Sequence, residues 1–198
     1  MSAPLELQKI GVKFFLADSA KVEPLTLIPV FHRWIQDQSV DGLLVDVADY
    51  SHLHHGPGIM LIAHEGDYSF DMAGGRPGLV YRRKQPLEGS FEERLVTLCR
   101  IGLQACLLLE SDNEAGTPGF RGDEISLVAN DRLAAPNGEE TLAQLAPGLR
   151  GLATRLFGEG EHSVTASPVS EEPFSAILSA DENGDVSSVS RILERLNS

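Results

Sequence analysis

The sequence predicts an α+β protein with a mostly antiparallel sheet and helices packed on one of its faces. Short runs rich in β-branched and aromatic residues, bounded by turn residues, are typical of strands. Longer segments whose apolar residues recur every three or four positions are typical of amphipathic helices. Several strand-like runs follow one another with no helix between them, which favours antiparallel neighbours joined by turns.

Residues 1–110 are predicted to form the first half of the fold. Its strand-like segments are 9–18, 42–50, 58–65 and 76–84. Pro24 begins a helical pattern that continues to Asp37, since proline is tolerated in the first turn of a helix. The segments 42–50 and 58–65 flank a histidine-rich tract, so we expect them to form a hairpin with a long loop.

The clearest helix of the chain follows Ser90. Ser90 is a typical N-cap, and Glu93, three residues later, completes a capping box. Cys99 and Cys106 lie on the same face of this helix, about two turns or ~10 Å apart. A disulfide needs Cα atoms within about 7 Å, so we expect two small buried apolar residues instead.

A polar, glycine-rich linker, residues 111–123, precedes the second half, residues 124–198. The predicted strands of this half are 124–131, 162–169 and 173–180, and its predicted helices are 137–160 and 185–198. Asn137 and Glu140 resemble a second capped start, Pro147 predicts a break, and a glycine ends the helix. Both halves have the order strand–helix–strand–strand–helix, with one additional strand in the first. We therefore predict two pseudo-repeated β-α-β-β units in one compact structural unit.

Composition excludes several classes of partner. The apolar fraction of 42% is that of an ordinary globular protein, and the net charge is −13. Nucleic acids and anionic membranes require a basic surface, so we expect neither as a partner. No apolar run approaches the ~18 residues of a membrane span, and the N-terminus has no signal-peptide pattern. We expect a cytoplasmic protein that forms a homo-oligomer.

Four of the six histidines lie between residues 50 and 66. His52, His54 and His64 would make a zinc-type ligand set. However, the predicted hairpin puts His64 about six residues, or ~20 Å, from the loop. We therefore predict no metal site, or at most a weak, exposed one at His52 and His54. The glycine-rich segment 73–78 lacks the spacing of a phosphate loop, and the acidic segment 181–185 lacks the twelve-residue pattern of a calcium loop, so no cofactor is predicted.

Asp46 and His64 interrupt otherwise apolar strands. If the hairpin is centred near residue 55, Asp46 lies opposite His64. A carboxylate beside an imidazole fixes its tautomer, as in the base and orienting group of many hydrolases. The alternative is a polar pair at the sheet edge, and no nucleophile motif accompanies the two residues. Whether the protein is an enzyme stays open.

Four of the sixteen basic residues lie within nine positions, namely Arg76, Arg82, Arg83 and Lys84. Arg82 and Lys84 should project from one side of their strand and Arg83 from the other. Together with the nearby helix start at Ser90, they would suit a carboxylate or phosphate group. The alternative is a charged strand that discourages edge-to-edge pairing of sheets.

The leading functional hypothesis is a cytoplasmic binding protein that holds a small anionic ligand between two related halves. Arg76, Arg82, Arg83 and Lys84 would contact the anion. One alternative is a hydrolase-type or isomerase-type enzyme that uses His64 as base and Asp46 as its orienting group. Another is a structural or interaction protein that acts as a homodimer.

Overall fold

The computed structural model describes residues 7–17, 22–53, 56–166, 172–180 and 188–197. Within these residues the chain forms eight strands and four helices. The strands are β1 (Ile10–Leu16), β2 (Leu44–Asp49), β3 (Ile59–Ala63), β4 (Gly66–Asp71), β5 (Gly78–Arg83), β6 (Phe120–Ala129), β7 (His162–Ala166) and β8 (Ser175–Ala180). The helices are α1 (Leu27–Asp37), α2 (Phe91–Glu110), α3 (Glu139–Phe157) and α4 (Val189–Asn197). The α+β prediction is confirmed.

One sheet contains all eight strands in the order β2-β3-β4-β5-β1-β6-β8-β7. Every neighbouring pair is antiparallel. The strands of the predicted first half lie on one side of the β1–β6 pair and those of the second half on the other. The sheet therefore continues across the predicted linker, while a duplication relating the two halves stays a prediction.

The helices pack on the sheet face that carries Val12 and Phe14 of β1. Phe14 lies between Leu79 of β5 and Ile125 of β6 in the strand register, and all three are fully buried. Helix α2 packs on β1 and β5, α1 on β2 and β3, α3 on β7 and β8, and α4 on β6. The opposite face, which carries Lys13 and Phe15, is called the open face below.

Helix α2 begins as the sequence predicts. The Ser90 hydroxyl accepts a hydrogen bond from the Glu93 backbone N–H at 3.3 Å, and the Glu93 carboxylate accepts one from the Ser90 N–H at 2.7 Å. Cys99 and Cys106 are free thiols buried in the core. Burial raises the pKa of the Cys99 thiol to about 12.

The predicted elements differ from the structure at four points. Strand β4 was not predicted, and β6 begins at Phe120, inside the predicted linker. Helix α3 continues through Pro147, because buried leucines on both sides of the proline, such as Leu145 and Leu149, hold it against the core. Its N-cap is Gly138 and not Asn137.

No helix in the described ranges combines the length and the apolar character that a membrane crossing requires.

Candidate functional site

The predicted pair of Asp46 and His64 is not brought together. Asp46 lies opposite Ile62, so the predicted register of the hairpin was wrong by two residues. The pairing extends to the Tyr50 N–H, which donates to the Gly58 carbonyl, and this centres the hairpin on residue 54. His64 lies beyond the end of β3, and both side chains are exposed. Among the hydrogen bonds and ion pairs of the described residues, none joins the two.

Within the described residues, the histidine-rich loop forms no cluster of metal-ligating side chains. His52 is exposed, and His54 lies outside the described residues. A search of the described ranges finds no group of three or more His, Cys, Asp or Glu side chains that could hold a metal ion.

Three of the four predicted anion-binding residues have partners on the protein itself. Arg76 donates to the Glu124 carboxylate at 2.6 Å, and Lys84 donates to Asp67 at 2.7 Å. The Arg83 Nε donates to the Gln85 backbone carbonyl at 2.8 Å. The charges of Arg76 and Lys84 are therefore balanced by carboxylates, whereas the partners of Arg83 are neutral.

Arg82 differs from the other three. It lies on the open face, opposite Asp67 of β4 on one side and Gly11 of β1 on the other. Its Nε is buried without a hydrogen-bond partner, and its guanidinium forms no ion pair with any residue that the structure describes. Asp67 accepts from Lys84 and from the Ala63 N–H instead.

The rest of the open face around β1 consists of paired charges over an aromatic ring. Lys13 pairs with Asp71 at 2.8 Å. The Phe15 ring lies 5.5 Å from the Lys13 Nζ and 3.9 Å from the Arg76 guanidinium carbon. A small cavity of about 170 Å³ beside Phe15 is lined by Arg76 and Arg121, and both of these face Glu124. The charges here largely neutralise one another.

A larger groove of about 490 Å³ lies on the helical side, between α2 and the loop that joins α1 to β2. Its walls are partly apolar and carry one carboxylate. The lining residues are Ser39, Val40, Asp41, Tyr68, Ile101, Gln104, Leu107, Leu108 and Ser111. We call this the α2 groove. Arg33 of α1 pairs with Asp112 and Glu114, just after α2, and so fixes the two walls relative to each other.

Tyr68 contributes the buried polar group of the α2 groove. Its side chain is 1% exposed and packs edge-on against Trp34, with ring centroids 6.3 Å apart. Its hydroxyl forms no hydrogen bond with any described residue, although neighbouring Tyr81 accepts one from Arg83. Burial raises the pKa of Tyr68, so the phenol stays neutral and is able to donate or accept.

Sequence reasoning missed Tyr68 because it missed β4. The alternation of polar and aromatic residues over 67–71 could have predicted this strand. Tyr68 and Phe70 face the helices, while Asp67, Ser69 and Asp71 face the open side. The glycine, serine and aspartates of this segment have low strand propensity, which hides the pattern.

A second cavity of about 490 Å³ lies at the start of α2. Two of its side chains bond to the backbone of the protein itself: Gln8 exchanges two hydrogen bonds with Leu87, and Arg94 donates to the Gly89 carbonyl.

No family model, curated protein or solved structure matches this chain. The geometry of the α2 groove and of the open face therefore carries the functional argument.

Proposed function

We propose that the protein binds a small, partly apolar molecule in the α2 groove. The observation that carries this proposal is Tyr68, whose side chain is 1% exposed and lines the groove, and whose hydroxyl has no hydrogen-bond partner among the described residues. Buried polar groups in proteins are normally hydrogen-bonded. A ligand that contributes one donor or acceptor would complete the site.

The shape and lining of the groove support the same proposal. Its volume of about 490 Å³ lies within the range of small-molecule pockets. Val40, Ile101 and Leu108 would cover the apolar part of a ligand, while the hydroxyls and the amide on the rim would orient its polar end. Most small-molecule sites combine these two kinds of surface.

The test uses the single tryptophan. Trp34 packs against Tyr68, so a molecule in the groove should change its fluorescence. We expect the uncharged dye Nile red to bind and quench Trp34. Ile101→Trp should block the groove, whereas Leu133→Trp, at a side chain 98% exposed in another loop, should not; for these two variants the readout is the emission of the dye. Equal dye binding by both variants would overturn the proposal.

Tyr68→Phe tests the hydrogen bond separately. Losing one neutral hydrogen bond costs about 0.5–1.5 kcal/mol, so a ligand that uses the hydroxyl should bind roughly two- to tenfold more weakly. Tyr50→Phe, in the hairpin loop away from the groove, is the matched control. The measurement is the displacement of bound Nile red by two competitors of the size of phenol, one with a hydroxyl and one without. Tyr68→Phe should weaken only the binding of the competitor that has the hydroxyl.

A second candidate is anion binding on the open face, centred on Arg82. Its unpartnered Nε supports this idea, and Gly11 beside it lies on the β1–β6 pair where the two predicted halves meet. A glycine within a strand leaves room for a ligand above the sheet. Phosphate and acetate should then raise the melting temperature of the wild type. Arg82→Gln should abolish that shift, while Arg132→Gln, at an exposed loop position, should retain it.

The other hypotheses have less support. Asp46 lies opposite Ile62 and not opposite His64, so the register does not support the catalytic pair, which stays a prediction. Homodimerisation and a cytoplasmic location stay predictions, and light scattering on the purified protein would test the first.

A further inference from the structure

We propose that the α2 groove prefers a ligand with an apolar body and a protonated amine, and that Asp41 selects the amine. This inference rests on the proposed function of the groove. It reverses the sign of the ligand charge that the basic cluster of the sequence predicts.

Asp41 is the one charged residue among those that line the groove. Its side chain lies in the loop between α1 and β2, is exposed at the mouth, and forms no hydrogen bond or ion pair with any residue in the described ranges. No lysine or arginine lines the groove. An anionic ligand would therefore meet an unpaired carboxylate and no counter-charge.

Two charged residues near the groove, Glu65 and Arg83, have hydrogen-bond partners on the protein itself. The Glu65 carboxylate accepts from the Leu43 N–H at 2.8 Å. Arg83 donates to the Gln85 carbonyl and to the Tyr81 hydroxyl and is not among the residues that line the groove. Asp41 is thus the charge that a ligand would meet, and the net charge of −13 adds a long-range attraction for cations.

Tyr68 provides the second, independent observation. Its side chain is 1% exposed and lines the same groove as Asp41, and its hydroxyl has no hydrogen-bond partner among the described residues. An ammonium group donates up to three hydrogen bonds and accepts none. It would satisfy the Asp41 carboxylate and still have a proton for the phenol oxygen, while the apolar body covers Ile101 and Leu108.

The experiment compares hexylamine, hexanol and hexanoate as competitors of bound Nile red. The three share one apolar chain and differ in the charge of the head group. We expect hexylamine to bind about two- to fivefold more tightly than hexanol, which is the range of an exposed ion pair, and hexanoate to bind most weakly. The advantage of the amine should shrink as salt is added.

Asp41→Asn should remove the advantage of hexylamine over hexanol. Asp37→Asn is the matched control, because it makes the same charge change at the end of α1 without lining the groove. If all three competitors bind alike, or if Asp41→Asn and Asp37→Asn behave alike, the selection by Asp41 is overturned and ligand binding in the groove still stands. If Nile red does not bind the wild type at all, the proposed function fails and the inference fails with it.

Discussion

The two faces of the sheet bury side chains in different ways, and consecutive residues of β1 show the difference. Phe14 points to the helices and packs in a core of aliphatic and aromatic groups. Phe15 points to the open face, yet it is only 5% exposed, because Lys13 and Arg76 lie over its ring. On the helical face, closely packed apolar side chains exclude water. On the open face, the aliphatic parts of charged side chains cover Phe15, and their charged ends pair with acidic residues.

This contrast shows that basic residues clustered in the sequence do not by themselves mark free positive charge. On the open face Lys84 and Arg76 pair with the acids Asp67 and Glu124. On the helical side Asp41, which lines the α2 groove, has no ion-pair partner among the described residues. A candidate site is therefore indicated by a polar or charged group without a partner, and not by the number of charged residues that lie close together in the sequence.

The largest expected difference between the faces concerns Phe14 and Phe15. Phe14→Ala should lower the free energy of unfolding by about 3–5 kcal/mol, since it leaves a cavity in a closed core. Phe15→Ala should cost clearly less, because water and the Lys13 and Arg76 side chains can fill the gap. Urea denaturation of both variants measures the difference, and equal losses would contradict the contrast between the faces.

Two glycines sharpen the same comparison. A Cβ at Gly102 of α2 would lie 2.4 Å from the Phe14 ring, so Gly102→Ala should destabilise by about 1–3 kcal/mol through overpacking. A Cβ at Gly11, on the open face, would meet its nearest neighbours at an ordinary 3.7 Å, so Gly11→Ala should be close to neutral. The melting temperatures of the two variants would measure this difference in stability. A large loss from Gly11→Ala would mean that the open face is as tightly packed as the core.

Ion pairs on the open face should differ according to their burial. The Lys13 side chain is 10% exposed and that of Lys84 is 38% exposed, while both pair with an aspartate. Lys13→Met leaves Asp71 in a partly buried place without its partner, and should cost about 1–2 kcal/mol. Lys84→Met should cost less than about 1 kcal/mol. Chemical denaturation measures both losses, and equal losses would show that burial makes no difference between the two pairs.

The smallest expected effect concerns the chemical reactivity of the two thiols on the helical side. Cys99 and Cys106 are buried, and burial raises the pKa of both, that of Cys99 to about 12. Since the thiolate is the reactive form, the folded protein should not react with an aromatic disulfide reagent at pH values below about 9. In denaturant both thiols should react, and faster as the pH rises through the ordinary cysteine pKa of about 8.5. Rapid reaction of the native protein would show that the core opens locally.

Local patterns in the sequence were sufficient for the fold class, the capped start of α2 and the amphipathic helix α4. Such features depend on hydrogen bonds and side-chain spacings within a few residues, so the chain encodes them locally. The Ser90–Glu93 capping box forms as predicted. The buried residues Val189, Ile192 and Leu196 of α4 share one side of the helix, as their spacing predicts.

Pairing across the sheet decided the rest. The register that separates Asp46 from His64, and the salt bridges that occupy Arg76 and Lys84, join residues of different strands. The α2 groove likewise joins Tyr68 of β4 to a loop and a helix that are far from it in the chain. A shift of two residues in a hairpin preserves the alternation of side chains, so no periodic pattern reports it. Which charges are paired and which remain free is therefore a property of the assembled sheet and its helices.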